Sequence, residues 1–239
     1  MSKLTEIKWR YMLHHTYFRV CNGAELSLGK NVCIKNSRII VTPGSSIRIG
    51  NGVVIENAEI SVVDGSVSIG EYVRIGHTKD STLINVECGR MRVDHHTKIA
   101  ARRVWIRFGG DLSIGCYTNI NSNSEIRCDE RISIGNFNQI SYEVNIWDTN
   151  THNILTKGNR REIAQKFWPY FGKETEKPIT KPVIIGDDCW LGERVSILKG
   201  SIIGDEVIVG YNTTIPGKNI QSKSTVVSEI SLKTHIRQC

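Results

Sequence analysis

Aliphatic residues stand at positions 185, 191, 197, 203, 209 and 215, six apart and without a break. Gly follows at 186, 192, 204 and 210, then two polar residues, then a small or β-branched residue at 189, 195, 201, 207 and 213. The same unit echoes upstream, less regularly, from Leu28-Gly29, Ile49-Gly50, Ile69-Gly70, Val93-Asp94, Ile114-Gly115 and Ile134-Gly135. These leading positions lie 20 to 24 residues apart, room for three hexads and a few loop residues.

A six-residue spacing of single aliphatics makes no stripe of period 3.6, so helices are excluded. Alternate residues of a strand share a face. The first and fifth positions of a hexad therefore both point inward, and the residues between them turn a corner. The spacing predicts three short strands per coil, a triangular parallel β-helix with a buried Ile/Val/Leu column. An ordinary β-sandwich would not hold the spacing through six consecutive positions. Gly in the second position is expected to supply a positive φ at the corner. Asp94, Asn121 and Lys35 stand in that slot elsewhere, and Asn and Asp also visit this region.

A solenoid departs from its period where loops leave it. The main departure runs from about 150 to 182 and is longer than ordinary connections. It carries Lys157-Gly158-Asn159-Arg160-Arg161 and the aromatic run Phe167-Trp168-Pro169-Tyr170-Phe171-Gly172. Those aromatics either pack on the coil or a neighbouring subunit, or form a lid or a sugar platform. Residues 1–22 lie outside the repeat, and Leu4, Ile7, Tyr11 and Phe18 suggest a loose helical stripe. Its bland reading is a cap over the first coil; its basic and aromatic residues also allow contact with a membrane surface. The expected organisation is a cap over 1–22, a β-helix over 23–220 with the insertion at about 150–182, and a capping tail over 221–239.

Composition narrows the class. Of 239 residues, 39% are hydrophobic and 23% charged, the balance of a folded globular chain. No uncharged run approaches the ~18 apolar residues that cross a bilayer, and the opening Met1-Ser2-Lys3-Leu4-Thr5-Glu6 lacks the apolar stretch of a signal peptide. A cytoplasmic protein is expected, with the inner face of the membrane as a further location. The seven cysteines form no CxxC pair, so reduced thiols are expected rather than zinc ligands or disulfides. Lys plus Arg is 31 against 24 for Asp plus Glu, a net charge of +7. That surplus attracts polyanions: nucleic acid, anionic lipid or phosphorylated small molecules.

The hexads resemble those of the left-handed β-helix acyltransferases of the hexapeptide-repeat superfamily. Lys181-Pro182-Val183-Ile184-Ile185-Gly186-Asp187-Asp188-Cys189-Trp190-Leu191-Gly192 is similar to that family's P-V-x-I-G-D-x-x-W-I-G segment. Asn145-Ile146-Trp147-Asp148-Thr149-Asn150-Thr151-His152 resembles its D-x-x-x-H approach to the catalytic His. The resemblance covers roughly 24–220. It implies left-handed coils, a homotrimer, and acetyl transfer from acetyl-coenzyme A to a hydroxyl of a sugar or polysaccharide. Two family segments that usually contact the coenzyme differ here. Ile215-Pro216-Gly217-Lys218-Asn219-Ile220 replaces a T-K-D-I-P run, and Ser228-Glu229-Ile230-Ser231-Leu232-Lys233 replaces a G-N-P-A-K ending.

Acetyl transfer needs a base for the hydroxyl, a bound thioester and donors for the oxyanion. His152 is the candidate base, since an imidazole can take a proton near neutral pH. His77 and the pair His95-His96 also fall at coil corners but lack the Trp-Asp lead-in and the following insertion. Asp148 is a candidate to orient the imidazole, with Asn150 or a backbone carbonyl as alternatives and a plain turn residue as the bland reading. The resemblance places oxyanion donors at the backbone of Gly192 and Glu193, where the Glu side chain must point away from a developing negative charge. Trp190 takes the outward sixth position and should pack on a ligand or a partner chain. Gly210 is carried over as a coenzyme-groove residue. Lys199, Lys218, Lys223, Lys233 and Arg237 are candidates for the coenzyme phosphates.

Three other readings compete. N-acetyl transfer to a nucleotide-linked amino sugar needs the same base. A zinc hydratase on this fold needs three His around the metal, and no third His stands at a suitable spacing, so no metal is expected. A silent binding module for anionic glycans would use the insertion and the basic face without turnover. No nucleic-acid motif accompanies the basic charge.

Overall fold

The computed structural model describes residues 13–76, 81–153, 157–169, 176–229, 231 and 233. Leu4, Ile7, Tyr11, His77, Tyr170, Phe171 and Arg237 lie outside the described residues.

Among the described residues, three parallel sheets run the length of the chain, with ten, nine and nine strands. Each coil gives one strand to each sheet. The first sheet begins at Leu13–His14 and ends at Thr225–Val226; the second runs from Tyr17–Val20 to Thr214–Pro216; the third runs from Glu25–Leu28 to Asn219–Ile220. The three sheets are the faces of a triangular prism, and three edges join them. Pairing thus starts at Leu13, ahead of the boundary expected at 23. Phe18 lies in a strand whose register sets Phe18 opposite Ile39, so the helical reading of that residue is overturned.

Inward residues stack in columns. On the second face, Ile39, Ile60, Ile84, Val104, Ile126, Ile146, Ile197 and Ile215 follow one another coil by coil, all buried. First and fifth hexad positions both point inward as the spacing predicts: Ile185 with Cys189, Leu191 with Val195, Ile203 with Val207. Polar fifth positions bond to the neighbouring coil. Thr118 donates to the Gly135 carbonyl (2.9 Å), and Asn138 donates to the Gly186 carbonyl (2.9 Å) while accepting the Cys189 N–H (2.8 Å). A buried polar group must be satisfied in this way to avoid a penalty of about 1–3 kcal/mol.

The second-position glycines serve a different purpose from the one expected. Gly186, Gly192, Gly204 and Gly210 do not have positive φ. The left-handed residues come two positions later: Asp188 (φ 55), Arg194 (63), Glu206 (56) and Asn212 (54). Likewise Asp94, Asn121 and Lys35 are not left-handed, whereas His96, Asn123 and Asn36 are. Gly is required because the next coil is too close. A Cβ on Gly186 would stand 2.8 Å from the Gly204 carbonyl carbon and would strike the Asp205 carboxylate. That carboxylate accepts the Asp187 N–H (2.9 Å), Asp187 accepts the Asn136 N–H (2.7 Å), and Asn136 accepts the Cys116 N–H (3.0 Å). On the third–first edge, Gly in the second position therefore leaves room for the side chain that closes the edge of the next coil; on the first–second edge, Gly192 gives room to the backbone of Val209 and Tyr211.

This distinction can be tested with Gly186→Asn. Asn tolerates a left-handed backbone, so a φ requirement would spare it relative to Gly186→Ala. The steric account predicts that both variants lose about 1–3 kcal/mol or more, measured as a lowered urea midpoint.

The insertion is spliced out of the stack. The strand Gln139–Ile140 pairs directly with Trp190–Leu191, and Asn145–Trp147 with Ser196–Leu198, so register passes across it unchanged. Its base is a narrow neck: Thr149 and Thr180 form an antiparallel bridge, the Asn150 N–H donates to the Ile179 carbonyl (3.0 Å), and the Lys181 N–H to the Asp148 carbonyl (2.9 Å). Beyond the neck lies α1 (Lys157–Lys166), whose good helix formers follow Gly158 and Asn159 and which ends on Lys166. No helix of the described residues is long and apolar enough to cross a membrane.

Candidate active site at the second–third edge

The strand Asn145–Trp147 of the second sheet is followed by Asp148, and the chain then leaves the prism. Asp148 is fully buried. Its two oxygens accept three backbone N–H groups from the coil before: Asp129 (2.8 Å), Glu130 (2.9 Å) and Arg131 (2.7 Å). Burial pushes its carboxyl pKa up, while the three amide donors pull the other way. Asp148 thus holds the turn beneath the insertion. Both its oxygens are engaged there.

The residue before His152 is fixed through all three of its backbone and side-chain polar groups. The Thr151 N–H donates to Thr149 Oγ1 (3.0 Å), Thr151 Oγ1 accepts Arg127 Nη1 (3.0 Å), and its carbonyl accepts Arg107 Nη2 (3.3 Å). Thr149 in turn donates to Asp129 Oδ2 (2.7 Å). Arg107 grips Asp129 with two parallel bonds, Nε to Oδ1 at 3.0 Å and Nη2 to Oδ2 at 2.8 Å. Arg107, Asp129, Thr149 and Thr151 are all buried. The two guanidinium groups lie over indole rings, Arg107 on Trp105 at 4.2 Å and Arg127 on Trp147 at 4.5 Å.

Thr151 has φ 69, a left-handed conformation that a β-branched residue rarely adopts. Such a residue costs of order 1–3 kcal/mol and persists where its surroundings impose it. Here two arginines from two different coils impose it. The result is an exposed His152 presented at a rigid edge, at the mouth of the insertion, with its N–H donating to the Asn150 carbonyl (2.8 Å).

The competing histidines are built differently. His96 is left-handed, and its ring stacks between Tyr72 (5.0 Å) and Tyr117 (4.9 Å) on the third–first edge, with Phe137 continuing the ladder at 5.1 Å. His95 Nδ1 lies 3.0 Å from His96 Nδ1.

The other sequence candidates fall on separate edges of the prism. Lys199 and Lys218 follow strands of the second sheet and share the second–third edge with His152. Gly192, Glu193 and Gly210 sit on the first–second edge; the Glu193 carboxylate lies 3.9 Å from Arg194. Arg194 also bonds Glu143 (2.9 Å) and the Tyr211 hydroxyl (2.8 Å). Trp190 faces outward from the first sheet, 56% exposed. Lys223 is on the third–first edge beside Glu206 (3.6 Å), and Lys233 is exposed in the tail. Of the insertion aromatics, Phe167 is half-buried under Lys166 (5.6 Å to the ring) and Trp168 is exposed. One chain therefore gathers His152 with Lys199 and Lys218, and keeps Gly192, Glu193 and Trp190 apart from them.

Sequence reasoning missed Arg107, Arg127, Asp129 and Thr151. Their signal was the coil period: Arg107 and Asp129 are 22 apart and Arg107 and Thr151 are 44 apart, one and two coils.

Comparison with known proteins fits this architecture. Residues 182–217 match the bacterial transferase hexapeptide family, described as six repeats. Over 128 residues the chain is 29% identical to a putative lipopolysaccharide biosynthesis O-acetyl transferase, WbbJ, of Escherichia coli K12, covering 54% of this chain and 58% of that protein. Over 154 residues it is 26% identical to a probable acetyltransferase, Rv3034c, of Mycobacterium tuberculosis, covering 64% of this chain and 44% of that protein. The chain thus spans about half the length of the curated relatives it matches. The solved structure of the polySia-specific acetyltransferase NeuO superposes with a TM-score of 0.54 at 18% identity, covering 92% of this chain and 84% of that one. At that identity the likeness concerns the fold, a left-handed parallel β-helix of hexapeptide repeats.

Proposed function

We propose that this protein transfers an acetyl group from acetyl-coenzyme A to a hydroxyl of a sugar in a surface polysaccharide or its precursor, with His152 as general base. The observation that carries the reading is the Thr151–His152 turn. A hexapeptide-repeat prism locks a strained, buried Thr151 with Arg107 and Arg127 and presents an exposed imidazole beside the insertion. Strain held by its surroundings is a feature of functional sites. Both curated relatives carry the name of acetyl transferases.

The chemistry follows from a base and an oxyanion site. The sugar oxygen attacks the thioester carbonyl as its proton passes to the imidazole. The tetrahedral oxyanion takes hydrogen bonds from backbone N–H groups, for which Gly192 and Glu193 are proposed. Collapse breaks the C–S bond, the imidazolium returns its proton to sulfur, and the products are the acetyl ester and the free thiol. In this reading Asp148 acts by holding the turn, and Trp190 flanks the donor. Lys199, Lys218 and Lys233 meet coenzyme phosphates, with Gly210 leaving room for the coenzyme.

His152 and the Gly192–Glu193 backbone occupy different edges of one prism. The reading therefore calls for a second copy to bring them face to face, as a homotrimer would. It also places the protein in the cytoplasm, where acetyl-coenzyme A is available.

Calorimetric titration with acetyl-coenzyme A tests the donor directly. Saturable binding at one site per chain is expected, and a screen of glycan acceptors then reads ester formation. Absence of heat at millimolar donor would remove the coenzyme and leave a glycan-binding module on the same fold.

A further inference from the structure

The outer face of the second sheet carries more positive charge than its own carboxylates neutralise. Glu125, in the strand Glu125–Cys128, is buried, with its side chain 2% exposed. Three guanidinium groups converge on it: Arg127 at 2.6 Å, Arg102 at 2.8 Å and Arg103 at 3.6 Å. One carboxylate cannot satisfy three arginines. Arg127 divides its donors between Glu125 and Thr151. Arg102 gives one nitrogen to Glu125 and leaves a side chain that is 56% exposed; Arg103 stands beyond hydrogen-bond reach of that carboxylate. The neighbouring Arg107–Asp129 pair is self-contained, so it offsets none of this surplus.

The unspent donors of Arg102 open onto a polar groove. An open groove of about 500 Å³ lies along the first–second edge, lined by Arg102, Asn123, Asn145, Asn212 and the Arg194–Glu143 pair. Amide side chains both donate and accept, as recognition of hydroxyl groups requires. The strand from Arg103 to Ile106 runs from this edge toward the His152 edge, about 10 Å at ~3.3 Å per residue. Arg127 links the two, since it bonds both Glu125 and the residue before His152.

We propose that this face is an acceptor subsite for an anionic sugar, whose carboxylate or phosphate is held by Arg102 and Arg103 while a hydroxyl of a neighbouring residue reaches His152. The inference rests on the acetyl-transfer reading for that hydroxyl and goes beyond it in making the acceptor an acidic glycan oligomer. Guanidinium suits the role because its planar fork matches a carboxylate or phosphate edge.

The test is binding of oligogalacturonate, its methyl-esterified neutral form, and inorganic phosphate to the full-length protein, without donor. Oligogalacturonate is expected to bind and its methyl ester to bind about ten- to hundredfold more weakly, the worth of a charge-assisted hydrogen bond. Competition by phosphate would assign the subsite to phosphorylated glycans, and its absence to carboxylated ones. R102A/R103A should lose the same factor, and R102Q/R103Q, which keeps most of the side-chain volume, should behave alike. His152→Ala should retain acceptor binding whatever the outcome for acetyl transfer, so failure of the catalytic reading is seen separately. Equal affinity for charged and esterified oligomers, no binding of the acid form, or a loss in R102A/R103A confined to coenzyme A would each overturn the proposal.

Discussion

His152→Ala is expected to lower the rate of acetyl transfer about 10²–10⁴-fold, the range ascribed to a positioned general base, with affinity for acetyl-coenzyme A unchanged. The direction follows from where His152 stands. Its side chain is exposed and the turn below it is anchored by Thr151, so removing the imidazole leaves the Arg107–Asp129 net intact. Stability should therefore hold while turnover falls, and a kcat effect without a donor-affinity effect is the signature. The control is His95→Ala, on another edge of the prism, which should leave transfer at the level of the unaltered protein. A His152→Ala protein that acetylates normally would place the base elsewhere.

Arg107→Met is expected to cost about 3–5 kcal/mol, the penalty for breaking a buried ion pair by removing one partner. Asp129 is fully buried, and Arg107 supplies two of its hydrogen bonds. The variant leaves that carboxylate with Thr149 Oγ1 and strips the Thr151 carbonyl of its donor. Two consequences should appear together: a lower urea midpoint, and faster hydrogen exchange at the Thr151 amide as the left-handed turn relaxes. Each coil packs mainly on its neighbours, and the Arg107 side chain reaches no further than Thr151, so loosening should concentrate around residues 107–151 rather than spread evenly. Arg127→Met leaves its carboxylate partner Glu125 still paired with Arg102 and should cost less. An unchanged midpoint in Arg107→Met would show that the network adds nothing net to stability.

The architecture was legible because a solenoid writes its core into a local period. Ile185 and Cys189 point inward by strand alternation alone, and no long-range information is needed to say so. The role of Gly186 was misread for the same reason. A single coil shows a corner and suggests backbone conformation, whereas the true constraint is Asp205 of the next coil, which no single repeat contains. The left-handed residues at the fourth hexad position include Arg194 and Glu206, residue types that give no sequence cue for that conformation.

The site was legible only in its outline. His152 stood out because the period breaks beside it. Asp148 stood out too, yet four residues of spacing could not tell an imidazole partner from a carboxylate that closes the preceding coil's turn. The supporting arginines lay one and two coils upstream, disguised as ordinary outward charges.

The sequence by itself therefore determined the coil, the inward columns and the point where the chain leaves the prism, because each depends on residues within a few positions of one another. The tertiary structure alone decided which edges carry His152, Glu193 and Trp190, why Gly must precede the Asp ladder, and which guanidinium groups meet Glu125, Asp129 and Thr151. Apart from Arg127–Glu125, those contacts join residues about 20 to 51 apart, and an insertion changes their numbering without changing their register. Only stacking the coils makes such residues neighbours.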